Sequence, residues 1–158
     1  LSFGEPQCER VDSRPAGEGS VHISFKQGYR VGADVLHGCM LVPLPDAISM
    51  ACYLMMVPDD TVGERREATE LDRITKDALL EVGNFVAAAI DGAVRSRAGD
   101  AVTVRAAGCQ GVRADVRPAF PYEEGAPLLA CRLEATLQGF EPFQVILLLP
   151  PLGELIEA

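Results

Sequence analysis

The chain contains no tryptophan, only two histidines, and no pair of cysteines at C-x-x-C spacing. Aromatic residues make up 6% of its 158 positions, so its core must be built from Val, Leu, Ile, Ala and Met. His22 and His37 are far apart in sequence and neither has a ligand-like neighbour at metal spacing, which leaves no metal site to nominate. Ser20, Ser24 and Ser49 lack flanking nucleophile-elbow glycines, which argues against a Ser–His hydrolase of that kind. The glycines from Gly99 to Gly111 form no phosphate-binding loop, because the pattern and its lysine are both missing. Basic residues are the minority, 14 against 23 acidic ones, for a net charge of -9. A nucleic-acid binder needs a basic surface to neutralise phosphates, and an anionic membrane attracts basic segments; this composition argues against both partners. No apolar run is long enough to span a bilayer. The chain does not open with a signal-peptide pattern, and it opens without Met, so an upstream piece is expected to have been removed or left out. Cys8, Cys39, Cys52, Cys109 and Cys131 are widely spaced and odd in number. The expectation is free thiols in a reducing cytoplasm, most of them acting as small buried apolar side chains.

What is present is an apolar share of 48%, enough for a hydrophobic core and too high for global disorder. The length suits one domain. Residues 1–20 are punctuated by Gly4, Pro6, Pro15, Gly17 and Gly19, so they read as an irregular segment with room for a short strand near Gln7 to Val11. Val21, Ile23 and Phe25 alternate with polar residues, as a half-buried strand does. Gly28 and Gly32 mark turns. A second strand runs from Cys39 to Leu44, followed by a short helix from about Asp46, its expected N-cap, to Met56, with Pro58 enforcing the stop. Residues 59 to 70 read as a solvated loop. A long helix then spans about Glu70 to Ala98, with Arg95 and Arg97 suiting its negative end and Gly99 placed to terminate it.

After Gly99 the pattern turns to strands: Val102 and Val104, then Val112 and Val116 beyond a turn at Gly108 to Gly111. Leu129 to Leu137 alternates over a longer stretch, and the apolar run Val145 to Leu149 reads as a central strand. The domain is expected to occupy residues 21–150, with a tail at 151–158 that forms a short helical turn or frays. The order predicts an α+β fold: a largely antiparallel sheet covered by the long helix and a shorter one.

On the long helix, the 100° rotation per residue groups Ile74, Ala78, Val82, Phe85, Val86, Ala89 and Ala93 on one apolar side, expected to be buried. Asp77, Glu81, Asn84, Ala88, Asp91 and Arg95 form a line on the opposite side. A polar outer face is ordinary for a surface helix. Three details single out this one. Asn84 is a poor mid-helix residue, because its side chain competes for backbone hydrogen bonds. It stands one turn from Glu81. Ala88, one turn further on, leaves room for close approach.

The line Asp77-Ala-Leu-Leu-Glu81-Val-Gly-Asn84 resembles the signature of the CheC/CheX/FliY chemotaxis phosphatases, in which Asp or Ser is followed four residues later by Glu and three after that by Asn. Gly38-Cys-Met-Leu-Val-Pro-Leu-Pro45 and the short helix after it are similar to the family's elements upstream of the motif. The resemblance covers roughly residues 20 to 150. A single motif copy makes a CheX-like member the nearer match. The family's long N-terminal helix has no counterpart in residues 1–20, and Phe85-Val-Ala-Ala-Ala-Ile90 stands where members often carry Gly and Asn. The resemblance implies a cytoplasmic domain that docks on the phosphorylated aspartate of a response-regulator receiver of the CheY type and promotes its hydrolysis. It gives Asn84 the task of orienting the attacking water, Glu81 that of pairing with the receiver's lysine, and Asp77 a supporting contact, with Mg²⁺ held by the receiver and no cofactor in this chain. A homodimer joined through sheet edges would also be CheX-like. Two other readings of the same residues stand beside it: a CheC-like module that docks on a receiver or a flagellar switch component without catalysis, and an unrelated α+β domain whose helix carries an ordinary solvated stripe.

Overall fold

A computed structural model describes residues 1–152; the expected helical turn or fraying at the C-terminal tail concerns residues that lie, from 153 on, outside those described. The centre of the fold is a long hairpin. β3 (His22–Val31) pairs with β4 (Asp34–Pro43) in unbroken antiparallel register from His22↔Pro43 to Val31↔Asp34. The two-residue turn between them uses Gly32 at φ 60°, a backbone angle that glycine takes without steric cost. β5 (Val102–Val112), β6 (Leu128–Thr136) and β7 (Phe143–Leu149) complete the body of the sheet. With β1 (Ser2–Phe3) and β2 (Gln7–Val11), both paired to β6, the sheet has seven strands among the described residues: six in the order β1-β6-β7-β4-β3-β5, with β2 beside β1 along β6. Every pairing in it is antiparallel. Gly38 of β4 is a true packing requirement, since a Cβ there would strike the Leu148 carbonyl of β7.

Three helices follow β4. α1 (Leu44–Leu54) opens behind Pro43 with a further proline in its first turn; the fixed φ of proline suits that position and no amide proton is wasted. α2 (Asp59–Arg65) is short, and α3 (Arg73–Ala98) runs 26 residues, or about 39 Å. Helix-facing strand positions Ile23, Phe25, Val42, Ala135, Phe143 and Val145 are buried together with Ala47, Ala51, Ala78 and Leu79 of the helices. The opposite face of the sheet buries Cys39, Leu41, Ala130, Ile146 and Leu148 under Phe120 and Leu128. Its cover is irregular chain between β5 and β6. Tyr122 there donates its hydroxyl to the carbonyls of Asp12 and Ala126, and the Arg14 guanidinium lies 5.3 Å from the Tyr122 ring. The architecture is therefore the α+β arrangement that the order of elements implied, an antiparallel sheet with a long helix on one face.

Several local expectations need correction. The residues read as a loop after Pro58 begin with α2, whose first turn holds Asp59 and Asp60 at the positive end of the helix dipole. Asp46 is not an N-cap; it lies inside α1 and is buried. Gly28 is internal to β3, and Gly108 sits within one continuous β5. The register between β3 and β5 shifts from Phe25↔Cys109 to Gln27↔Ala106, so one extra β5 residue is accommodated beside Gly108 at φ 95°: a bulge where a turn was expected. The N-terminal segment supplies strands β1 and β2, the latter where a short strand was allowed. Cys8 and Cys131 are not free thiols: they face one another in register across β2 and β6 and form a disulfide, leaving Cys39, Cys52 and Cys109 free. Spacing along the chain carries no signal for a bond between residues separated by 123 positions.

Arg66, just past α2, is the clasp between the helices. Its guanidinium meets the Asp46 carboxylate at 3.0 Å, donates to the Pro45 carbonyl and to Ser49 Oγ, and lies 4.3 Å from the centre of the Phe140 ring. The side chains of Arg66 and Asp46 are 19% and 8% exposed, so removing one partner strands a charge in a poorly solvated site. Arg66→Ala is expected to lower unfolding free energy by about 3 kcal/mol, read as a shift of the urea midpoint at unchanged slope. Reduction of the Cys8–Cys131 bond closes no new contact but frees a long denatured-state loop. Cys8→Ser is expected to cost about 2–4 kcal/mol under oxidising conditions and nothing in the presence of excess reductant.

A candidate docking face on the long helix

α3 starts where Asp72, its N-cap, accepts the Thr75 amide proton at 2.7 Å. That hydrogen bond holds the Asp72 carboxyl below its ordinary range. The helix ends at Gly99, φ 60°, after a last turn with Arg95 and Arg97. In between, the buried positions are Thr75, Ala78, Leu79, Gly83, Ala87 and Val94. This is not the face that apolar periodicity selected. Ile74 is 67% exposed and Phe85 62%, and Ala89 and Ala93 are exposed as well. The reason is close packing. A Cβ at Gly83 would lie 3.5 Å from the Phe25 ring of β3, so small residues bring the helix backbone down onto the sheet. A hydrophobicity wheel gives glycine and alanine little weight, while the interface selects them.

The four motif positions Asp77, Glu81, Asn84 and Ala88 are all exposed. Glu81 and Asn84 are three residues apart, about 4.5 Å along the axis, and point out on the same side. The side-chain hydrogen bonds made within α3 belong to Asp91, Arg95 and Ser96 near its C-terminal end. Among the described residues, Glu81 and Asn84 make none, so both are free to meet a partner. The helix beneath them is anchored over several turns, which gives the pair a fixed spacing.

The end of the same stripe has a different role. Asp91 Oδ1 accepts the Val104 amide proton at 2.7 Å and Oδ2 accepts from Arg95 Nε at 2.7 Å, while Arg95 also reaches Asp100. Asp91 therefore fastens α3 to β5. The signal that sets it apart from Glu81 lies in the partner strand, not in the helix. The three free thiols offer no nucleophile: burial raises Cys52 and Cys109 and pushes Cys39 up to about 12. His22 is buried with Nδ1 2.8 Å from the Ser20 carbonyl and packs against Gly17, where a Cβ would strike its ring. Among the described residues no group of three His, Cys, Asp or Glu side chains could hold a metal ion. No helix among them is long and apolar enough to cross a membrane.

Phe85 and its neighbours Val82, Val86 and Ala89 were missed as surface residues. They line one wall of a groove of about 1010 Å³, with Met50, Tyr53 and Leu54 of α1 opposite and Leu137 and Phe140 between β6 and β7 at its end. Phe85 stands one turn from Glu81, so the groove and the motif stripe border one another on α3.

The arrangement is an α+β fold with an antiparallel sheet under one long helix, and solved structures share it. FliY from Thermotoga maritima superposes with a TM-score of 0.66 at 12% identity, covering 99% of this chain and 77% of that one. The FliM middle domain from H. pylori gives 0.59 at 8% identity, covering 98% and 79%. The chemotaxis protein CheX from Vibrio vulnificus gives 0.51 at 14% identity, covering 92% and 82%. No protein-family model matches the chain, and no curated protein matches it in sequence. The fold is shared with FliY and CheX, as the sequence resemblance implied.

The Asp91 tie yields a pH prediction. The Val104 amide, and after it Arg95, hold its carboxyl below the ordinary value. A depressed acid stabilises the fold fully above its unfolded pKa of about 3.9 and loses that contribution as pH falls through the folded value. Asp91→Ala is expected to cost about 1–2 kcal/mol at neutral pH. The gap between mutant and parent should close in urea titrations carried down through the acid range.

Proposed function

We propose that this chain docks on a phosphorylated response-regulator receiver of the CheY type and promotes hydrolysis of its aspartyl phosphate, in chemotaxis or two-component signalling. The observation that carries this is the exposed pair Glu81 and Asn84, one turn apart on a helix held rigidly to the sheet and free of internal partners. In this reaction water attacks phosphorus in line. The bond from phosphorus to the aspartyl oxygen breaks, the carboxylate leaves, and the water's proton ends on inorganic phosphate. Asn84 orients the water: a carboxamide both donates and accepts, and adds no charge beside the phosphoryl group. Glu81 pairs with the receiver's lysine and sets the register, Asp77 adds an outer contact, and Ala88 leaves space for the partner. The Mg²⁺ belongs to the receiver. Positioning supplies most of what phosphoryl transfer needs, so a site without a nucleophile is sufficient. The reading places the domain in the cytoplasm with its substrate, where reductant would hold Cys8 and Cys131 open as thiols.

A second reading is a non-catalytic module that binds a receiver or a flagellar switch component. It draws support from the likeness to the H. pylori FliM of a FliG–FliM complex, TM-score 0.58 at 12% identity, covering 99% of this chain and 81% of that one. One experiment separates the two: phosphate release from a magnesium-loaded, acetyl-phosphate-charged receiver of the same genome. The phosphatase reading expects acceleration by the parent chain and about a hundredfold loss in Asn84→Ala with binding retained. Saturable binding weakened by Glu81→Ala, with no acceleration by the parent, leaves the docking module. Absence of both release and binding removes both readings.

A further inference from the structure

We propose that the groove between α1 and α3 is a docking site for a cationic amphipathic helix of a partner protein. Its walls are apolar and open: Tyr53 and Leu54 of α1 are 37% and 40% exposed, and Phe85 of α3 is 62% exposed. Val82 to Ala89 gives a wall about 10.5 Å long, two turns of helix. The two long walls are themselves helices, whose backbone groups are already bonded internally. They offer no free ladder to an extended strand, but they suit a ligand that also satisfies its own backbone and presents side chains at i, i+3, i+4 and i+7.

The charge of the surroundings selects the ligand's polar flank. Asp59 is the one charged side chain among the described residues lining the groove. Asp60 and Glu64 lie on the same short helix, Glu81 precedes Val82, and Glu141 follows Phe140. No lysine or arginine occurs in residues 44–54, 77–94 or 137–142; α2, which adds Asp59 and Gly63 to the lining, carries Arg65 at its end. Of the two basic residues nearby, Arg65 ends α2 and Arg66, over the Phe140 ring, is already paired with Asp46, so the rim keeps an excess of carboxylates in a chain of net charge -9. A second copy of this chain would set these carboxylates against their own equivalents. A helix with lysines or arginines flanking its apolar stripe would neutralise them and be steered to the groove.

The test uses synthetic peptides of about 15 residues: one with Leu at i, i+3, i+4 and i+7 and Lys on the flanks, a twin with Glu for Lys, and a scramble of the first. Fluorescence anisotropy should show saturable binding of the Lys peptide, with the twin and the scramble weaker by about tenfold or more. Phe85→Ser and Ala89→Lys, both at exposed positions, should each weaken the Lys peptide by about tenfold, with circular dichroism unchanged. Amide shift changes in the chain should centre on residues 50–54, 82–89 and 137–140. Equal binding of the scramble, equal binding of the Glu twin, or shift changes elsewhere would overturn the proposal. So would a dimer of the chain alone that Phe85→Ser dissociates, which would make a second copy the occupant. None of these readouts involves phosphate release, so the groove and the receiver-docking reading stand or fall separately.

Discussion

Along the middle of α3, Gly83 faces the Phe25 ring and Ala87 is buried, and further on Asp91 takes up the Val104 amide of β5. Between them these contacts fix both the depth and the rotation of the helix. Thr75, Leu79 and Val94 are turned inward with the small residues. Asp77, Glu81, Asn84 and Ala88 are turned outward on one flank, and Phe85 and Ala89 on the other. A larger side chain at the small positions would lift the helix, and loss of the Asp91 tie would let its end rotate. The outward surface of α3 is a consequence of how closely one helix can approach one strand.

That surface has two neighbouring characters on a single element. On one flank a carboxylate and a carboxamide stand at fixed spacing, while Cys39 and Cys52 are buried in the core. On the other, apolar side chains stay uncovered between two helices. Under the proposed function the first flank meets a partner whose own active site supplies metal and electrophile; the second offers shape and burial.

Much of the fold was legible because its strands alternate and its long helix lacks proline. The alternation of Leu129 to Leu137 and the uniformly apolar Val145 to Leu149 give β6 and β7 their places, the second at the centre of the sheet. The motif positions were legible from their spacing on the helix. The inward face was not, because periodicity counts hydrophobic bulk and the contact is made by glycine and alanine. Gly28 and Gly108 read as turns because glycine is ambiguous between a turn, a bulge and a close approach; only the partner strand resolves which. The Cys8–Cys131 bond and the Asp91–Val104 hydrogen bond both join residues through tertiary register, which local pattern does not encode.

β5 forms one margin of the sheet, and the opposite margin is divided between the short strands β1 and β2 with Gly4, Glu5 and Pro6 between them. A margin grows by offering a long, straight row of unpaired amides and carbonyls to another chain. Here one row is bent by the bulge at Gly108 and has an amide already claimed by Asp91, and the other is broken into pieces of two and five residues. Neither row is a good template for adding strand upon strand, so the same helix contact that orients the outer face of α3 also disfavours fibre growth.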